Sequence, residues 1–423
     1  MAALSAVIAF STVSLDQRLP HSWRGSAWVY SGGAEGARAV LSVIASSMIT
    51  VAGVVFSITI VALTLASSQF GPRLLRNFMR DTANQVVLGT FIATFLYCLL
   101  VLRTIRGLDD REFVPHISVT AGVLFGVASL GVLIYFIHHV AVSIQVSFVL
   151  KTVSQDLRSA IDRLFPDEVG HGHGALAVET GDNADRDPIE SRGHPVRAER
   201  SGYVQAIDND RLMEIAREHD LLISVFYRPG CFVIEGTDIA SLAPSTRSSE
   251  TLVKSVSETF IIGRERTSTQ DVEFAASQLV EVALRALSPG INDPFTAISC
   301  IDWLAVGLCQ LASRSLPSER RFDTDGHLRI IANSITFAGV ANIAFNQIRQ
   351  AGRQHPVISI RLLEAIAAVA KRVQRPEDVQ SLFSHAQLVW QIAQPESLQG
   401  SDRVELDRAY HDAQRVLGKR RTR

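Results

Sequence analysis

Long apolar runs fill the first third of the chain. The stretches Ala39–Phe70, Val86–Leu102 and Ile117–Ile137 carry no formal charge. A helix needs about 20 predominantly apolar residues to cross about 30 Å of hydrocarbon. The pattern therefore predicts spans at about 41–68, 84–103 and 117–140. Residues 1–15 are also apolar but form a shorter segment, interpreted as a partial first span.

The second span carries small and hydroxyl residues at helical spacing. Steps of three, four or seven place them within about 60° of one helix face. Such a stripe lets helices approach closely, so a packing seam is the favoured interpretation. A pore lining is the sharper alternative, although no acid or base on the stripe marks an ion route. The stripe comprises Ser46, Thr50, Gly53, Ser57, Thr64 and Ser68.

The spans predict a membrane domain over 1–150, and the remaining chain is more polar. Amphipathic spacing up to Phe165, followed by a glycine- and aspartate-rich stretch, predicts a helical stalk and flexible linker over 151–194. Residues 195–243 predict a small β-rich unit, and 250–423 a helical soluble domain. The predicted fold class is an α-helical membrane protein with three or four N-terminal transmembrane helices and a soluble α+β domain.

Turn signals and alternating apolar residues define the β-rich unit. Tyr203–Ile207, Leu221–Tyr227 and Cys231–Glu235 are predicted strands, and the last two are expected to form a hairpin around Pro229-Gly230. Between the first two strands, Asp208 or Asn209 can cap a helix. The phrase "PGCFVIEGTDIA" resembles the hairpin of barrel-sandwich domains related to lipoyl carriers. It lacks the turn lysine, so the carrier function does not transfer.

Helical spacing dominates the C-terminal part. A helix is expected from Asp271, with Thr267 as N-cap and Gln270 completing a capping box. Further helices are predicted over Leu328–Ala351, Ser359–Val373, Val379–Ile392 and Val404–Leu417. They are followed by a basic tail.

Polar residues on the Asp271 helix and on the turn after it form the candidate site. Asn292 and Asp293 can cap the next helix, with Pro294 at its first position and Gly290 supplying any positive φ. A helix–turn–helix joint is the favoured interpretation. The alternative is one polar pocket for an ion or anionic ligand, built from Arg266, Asp271, Gln278, Glu281, Arg285, Asn292 and Asp293.

Composition narrows the partners. The chain is 47% hydrophobic with a net charge of −1, so a lipid bilayer is the expected partner and nucleic acid is not. A homo-oligomer stays open, cofactors are unknown, and neither a zinc-ligand cluster nor a catalytic motif is evident. Basic residues near the span ends divide evenly between the two sides. The protein is expected in the cell membrane. Its cysteines are scattered and form no C-x-x-C motif, which favours a C-terminal domain on the cytoplasmic side.

Three strings, "VFSITIVALTLASSQFGPRLLRNFMRD", "SGYVQAID" and "RALSPGINDPFTAISCIDWL", together with the stretch from "GRERTSTQD" onward, resemble a family of bacterial predicted membrane proteins classed as a domain of unknown function. The resemblance covers most of the chain and implies a multi-pass location without an agreed activity. The hypothesis is a channel, transporter-like or sensing protein gated by its soluble domain. A membrane-bound enzyme or a structural scaffold is the alternative.

Overall fold

The computed structural model describes residues 1–18, 30–71, 82–106, 113–165, 193–393 and 400–421. Most of the predicted linker, residues 166–192, lies outside the described residues, as do positions 422–423 of the basic tail. The chain divides into two compact units, Met1–Val149 and Leu150–Arg423, which are considered separately.

The first unit is helical. Its helices are α1 (Ala2–Arg18), α2 (Ala34–Phe70), α3 (Thr82–Leu102) and α4 (His116–Ser143). A further helix, α5 (Val146–Leu164), begins in the first unit and ends in the second. By length and composition, Ala34–Gln69, Thr82–Leu102 and His116–Ser143 can cross a bilayer. The shorter α1 packs against α3 and α4 and buries Ser5, Ala9 and Val13.

Close helix packing holds the membrane unit together. At Gly122 of α4, a Cβ atom would lie 2.7 Å from a methyl carbon of Leu41 on α2, so glycine permits this approach. The buried hydroxyl of Tyr97 on α3 donates to the carbonyl of Ser118 on α4 at 3.0 Å. Thr94 and Ser129 pair through their buried hydroxyls at 3.1 Å. Polar groups inside the bundle thus find partners on neighbouring helices.

The second unit contains two sheets. Its strands are β1 (His194–Arg197), β2 (Gly202–Ile207), β3 (Leu222–Val225), β4 (Phe232–Val233), β5 (Asp238–Ala243), β6 (Phe260–Gly263), β7 (Arg320–Phe322) and β8 (Leu328–Ala332). One sheet has the order β1-β5-β3-β8-β7 and the other β4-β2-β6. Strands β3 and β8 pair in parallel, with Ile223 opposite Ile330. The β structure therefore draws strands from beyond the predicted 195–243 unit.

The predicted hairpin around Pro229-Gly230 is wrong. Strand β3 pairs with β5 and β8, whereas β4 pairs with β2, so the two expected partners lie in different sheets. The backbone N–H of Gly230 donates to the carbonyl of Val204 on β2 at 2.8 Å. The turn therefore carries the chain from one sheet to the other. Alternation indicated the strands correctly but carried no information about their partners.

Helices make up the rest of the second unit. They are α6 (Asn209–Glu218), α7 (Glu250–Glu258), α8 (Val272–Ala286), α9 (Pro294–Ala312), α10 (Phe337–Ala351), α11 (Pro356–Ala370), α12 (Pro376–Ile392) and α13 (Ser401–Arg421). Asp208 caps α6, as predicted, by accepting from the backbone N–H of Arg211. The expected helix over Leu328–Ala351 is wrong at its start, because Leu328–Ala332 is strand β8 and Thr336 caps α10.

Helix α9 is also long and apolar enough to cross a bilayer. It packs against α8, α10 and α11 within the second unit and buries Cys300, Ile301 and Leu304. Its apolar residues therefore contribute to the core of that unit. The predicted fold class is confirmed: the protein has apolar membrane-spanning helices near its N-terminus and a later, mostly helical domain with small mixed sheets.

Candidate functional site

The start of α8 is built around Asp271. Its carboxylate accepts from the backbone N–H of Phe274 at 2.9 Å, which makes Asp271 the N-cap. The other carboxylate oxygen accepts from Nε and Nη2 of Arg266 at 2.9 and 2.7 Å. Asp271 is only 1% exposed. Two of the predicted site residues, Arg266 and Asp271, are thus in direct contact.

The expected capping box is wrong, because Thr267 and Gln270 do not cap α8. The amide of Gln270 instead accepts from the backbone N–H of Ile207 at 3.0 Å and donates to its carbonyl at 3.1 Å. Two hydrogen bonds to one residue fix the chain before α8 to the end of β2. The interaction joins positions far apart in sequence, whereas a capping box is purely local.

A second arginine–carboxylate pair lies beside the first. Nη2 of Arg228 donates to both carboxylate oxygens of Glu273 at 2.8 Å. Glu273 is buried in the first turn of α8, and Arg228 precedes the Pro229-Gly230 turn. Sequence reasoning missed both residues. The available signal was the short acidic spacing from Asp271 to Glu273, but nothing local indicated Arg228 as the partner.

Gly230 brings the turn against the first pair. Its φ is +95°, and a Cβ atom there would lie 2.2 Å from Oδ2 of Asp271 and 3.0 Å from Nη2 of Arg266. A side chain would therefore be strained by the backbone conformation and would collide with the carboxylate. The close approach of this turn to Asp271 requires glycine.

The electrostatics of the cluster are balanced within each pair. Burial raises the pKa of Asp271 above its ordinary value, and the charge of Arg266 opposes that shift. Each carboxylate has an arginine as its counterion, so the four side chains add no net charge. Among the described residues, this cluster presents no free acid or base for proton transfer. Its chemistry fits a rigid joint between the small sheet and α8.

The remaining predicted site residues lie elsewhere. Gln278 is buried within α8, and Glu281 and Arg285 are half-buried further along it. Asp293 follows the end of this helix, which is 15 residues long. A helix of that length spans about 22 Å, so Asp271 and Asp293 are held near opposite ends. The structure does not bring the seven residues into one pocket, and the enzyme alternative lacks a shared cleft for these two carboxylates.

The turn after α8 forms a joint with the geometry of a capped helix. Asp293 is the N-cap of α9 and accepts from the backbone N–H of Thr296 at 3.1 Å, with Pro294 at the first helical position, as predicted. The positive φ, however, belongs to Asn292 at 50° and not to Gly290. Asparagine tolerates this region better than most non-glycine residues, which explains the exchange.

The stripe on α2 faces away from the helices of its own unit. All six residues are exposed and lie on one side of the helix. Their hydroxyls donate to carbonyls of the preceding turn, as in Ser57 to Gly53 at 2.9 Å. The buried face is centred about 150° around the helix from the stripe. That face comprises Leu41, Ala45, Ala52, Val55 and Ala66.

One group of side chains has the composition of a metal site. Ligand atoms of Asp323, Asp325 and His327 lie within 4.8 Å of one another. The Asp323 carboxylate, however, already accepts from Nε of Arg329 at 2.7 Å and from the backbone N–H of His327 at 2.8 Å. A cation there would have to compete with Arg329 for the same carboxylate, so the group fits a salt-bridged turn.

Comparisons with known proteins agree with the membrane architecture. Uncharacterized proteins of Mycobacterium bovis and Mycobacterium tuberculosis are 35% identical to the chain over 382 residues, which are 89% of this chain and 72% of theirs. No solved structure matches. A family model described as "Predicted membrane protein (DUF2254)" matches residues 1–368. The chain therefore belongs to the DUF2254 family of predicted membrane proteins.

Proposed function

We propose that this protein is a channel or transporter-like membrane protein that assembles from several copies of the chain through α2. The observation that carries the proposal is the position of the small-residue stripe. It lies opposite the face that α2 buries in its own unit, so a second copy can contact it without disturbing the helix bundle. The soluble unit would act as the regulatory domain.

The shape of the stripe supports a helix as its neighbour. Glycine and hydroxyl side chains leave a shallow face on which another backbone can pack closely. Gly53 illustrates this, since nothing lies within 4 Å of a Cβ atom built there. The hydroxyls bond to their own helix, so they can line a helix contact or a water-filled path without a buried unsatisfied group.

Cysteine crosslinking in the membrane tests the contact with a matched pair of variants. Ser46→Cys lies on the stripe, and Ser47→Cys, at the same depth, points about 100° around the helix. Both positions are exposed. Ser46→Cys is expected to give crosslinked dimers and Ser47→Cys few. Equal crosslinking of the two variants, or no crosslinking of Ser46→Cys, would contradict assembly through this face.

Transport is tested separately by measuring solute flux in liposomes. Ser46→Leu and Ser57→Leu place a bulky side chain on the stripe, whereas Ser47→Leu makes the same change beside it. We expect flux to fall severalfold for the first two variants and to persist in the third. If the wild-type protein conducts none of the ions or solutes tested, the proposal of transport is refuted, whereas the proposal of assembly through α2 is unaffected.

We also propose that the protein lies in the cell membrane and that its C-terminal domain is on the cytoplasmic side. The described cysteines Cys231, Cys300 and Cys309 are free thiols, which suits a reducing compartment. A reporter that is active only outside the cytoplasm, fused after Arg423, is expected to stay silent. Strong reporter activity would reverse this topology.

A further inference from the structure

A cavity of about 270 Å³ lies at one end of the parallel strand pair in the second unit. Val225 and Ala332, the last residues of β3 and β8, both line it. The space outside the carboxyl ends of parallel strands is a common place for ligands in α/β proteins. None of its lining residues belongs to the Arg266–Asp271 pair or to the α2 stripe, so an inference from this cavity does not depend on the proposed transport function.

One arginine that lines the cavity has no carboxylate partner among the described residues. Arg321 lines it and donates to the side-chain carbonyl of Asn209 at 2.6 Å. No carboxylate lines the cavity within the described part of the chain. Burial lowers the pKa of Arg321, yet an arginine remains protonated at neutral pH. A partly buried guanidinium with a neutral partner leaves positive charge to be compensated.

Two further donors are unused. Arg228 also lines the cavity, and its Nη2 is occupied by Glu273, but its buried Nη1 has no hydrogen-bond partner among the described residues. The hydroxyl of Ser334, another lining residue, is also buried without one. Buried polar atoms are nearly always hydrogen-bonded, so such orphans point to a missing partner. An acceptor bound in the cavity would satisfy them.

The opposite character of the walls limits what that acceptor can be. Phe165, Ile207 and Ile335 contribute apolar surface to the cavity. Glu273 neutralises Arg228, which leaves one net positive charge, from Arg321. The volume is also below the roughly 300–1,000 Å³ of sites for drug-sized ligands. These features match a small ligand with one negative charge at one end and an apolar group at the other.

We propose that this cavity binds a small organic monocarboxylate with an apolar end. Its carboxylate would accept hydrogen bonds from Arg321, from the open Nη1 of Arg228 and from the hydroxyl of Ser334. Its apolar end would lie against Phe165, Ile207 and Ile335. Guanidinium groups suit this role because their planar donors match the two oxygens of a carboxylate.

Thermal unfolding and calorimetry of the purified full-length protein in detergent test the proposal with hexanoate as the probe. Hexanamide has nearly the same shape without the charge, and sodium chloride at equal concentration controls for ionic strength. Hexanoate is expected to raise the melting temperature with a saturable dose dependence, and hexanamide is not. Equal effects of hexanoate and hexanamide, or a tighter saturable response to inorganic phosphate, would overturn the monocarboxylate assignment.

Variants separate a binding role from a structural one. Arg321→Met is expected to weaken hexanoate binding at least tenfold while keeping or raising the melting temperature of the ligand-free protein, because an uncompensated cation is removed. Arg320→Met changes the neighbouring exposed residue of β7 and should bind hexanoate normally. Unchanged binding by Arg321→Met would refute the site. If that variant does not fold, Ser334→Ala serves instead, and a normal affinity there counts against the site.

Discussion

Asp16 accepts two hydrogen bonds from Ser118, one from its backbone N–H at 2.9 Å and one from its hydroxyl at 2.7 Å. The same carboxylate accepts from the backbone N–H of Ile117 at 2.9 Å. The residue before α4 is Pro115, which offers no side-chain cap. Asp16, at the end of α1, therefore supplies the cap that α4 lacks and ties the first helix into the membrane unit.

Removing this cap should weaken the membrane unit. Asp16→Ala is expected to lower the free energy of unfolding by about 1–2 kcal/mol, the range for losing an N-cap side chain. Asp16→Asn keeps an oxygen acceptor and should lose less. Melting temperatures of both variants in detergent measure the effect. A melting temperature that is the same in Asp16→Ala as in the wild type would show that the contact does not stabilise the bundle.

The buried pair at the start of α8 should show strong coupling. Asp271→Asn can still cap the helix but leaves Arg266, whose side chain is 25% exposed, without its counterion. The expected loss is about 3–5 kcal/mol, typical of breaking a buried pair from one side. The double variant Arg266→Met/Asp271→Asn should be more stable than Asp271→Asn alone. Denaturant unfolding of the wild type, Asp271→Asn, Arg266→Met and the double variant gives the coupling energy, and simple additivity of the two changes would contradict it.

In the turn between α8 and α9, substitutions of Asn292 and of Gly290 should differ in their effect on stability. Asn292→Val should cost about 1–3 kcal/mol because a β-branched residue tolerates positive φ poorly, and Asn292→Gly should cost little. Gly290→Val should be mild, since nothing lies within 4 Å of a Cβ there and its φ is not positive. Melting temperatures rank the three variants. A larger loss for Gly290→Val than for Asn292→Val would contradict the observed backbone geometry.

Variants of Asp293 test whether the turn before α9 is a structural joint or a binding site. As an N-cap, Asp293→Ala is expected to cost on the order of 1 kcal/mol. Asp293→Asn retains capping ability and should keep both stability and function. The melting temperature and the cellular phenotype are measured on the same variants. A stable but inactive Asp293→Asn protein would favour a ligand site at this turn instead.

Low pH should destabilise the second unit by protonating two carboxylates that pair with Arg329. Nη1 of Arg329 donates to Asp220 at 2.6 Å and Nε donates to Asp323 at 2.7 Å. The Arg329 bonds, with help from Arg247 at Asp220, hold the pKa of each carboxyl at about 2, below its ordinary value of 3.8. A lowered pKa means that the folded state binds protons less readily than the unfolded state. This stability is therefore complete above about pH 4 and is lost as the pH falls towards 2.

Arg329→Gln should flatten that dependence, as measured by urea unfolding between pH 5 and pH 2. Arg197→Gln removes an exposed pair with Asp238 and serves as the control, because exposed pairs contribute little. Parallel pH profiles of the wild type and Arg329→Gln would show that these carboxylates do not cause the acid sensitivity.

Local patterns predicted much of the fold. Uncharged runs indicated the spans, because the bilayer demands apolar length, and Asp208 and Asp293 were recognisable as caps from neighbouring positions. Partners distant in sequence were not recognisable. Strand β8 carries Ile330 and Ile331, whose spacing also fits a buried helix, and only pairing with β3 decides between the two.

The candidate site divides in the same way. Arg266 and Asp271 are five positions apart and were both identified from the sequence. Arg228 and Glu273 are 45 positions apart, and no periodicity connects a turn residue to a helix in another part of the fold. The sequence did not indicate Arg321, because the lack of a carboxylate beside it among the described residues is visible only in the packed chain.

The parallel pairing of β3 with β8 has a consequence for biosynthesis. Ile223 must wait for Ile330, about 100 residues further along, before that edge of the sheet closes. At translation rates of about 5–20 residues per second, β3 leaves the ribosome several seconds or more before its partner. During that interval its hydrogen-bonding edge is open to other chains. One edge of β3 therefore stays unpaired with its native partner until β8 has been made.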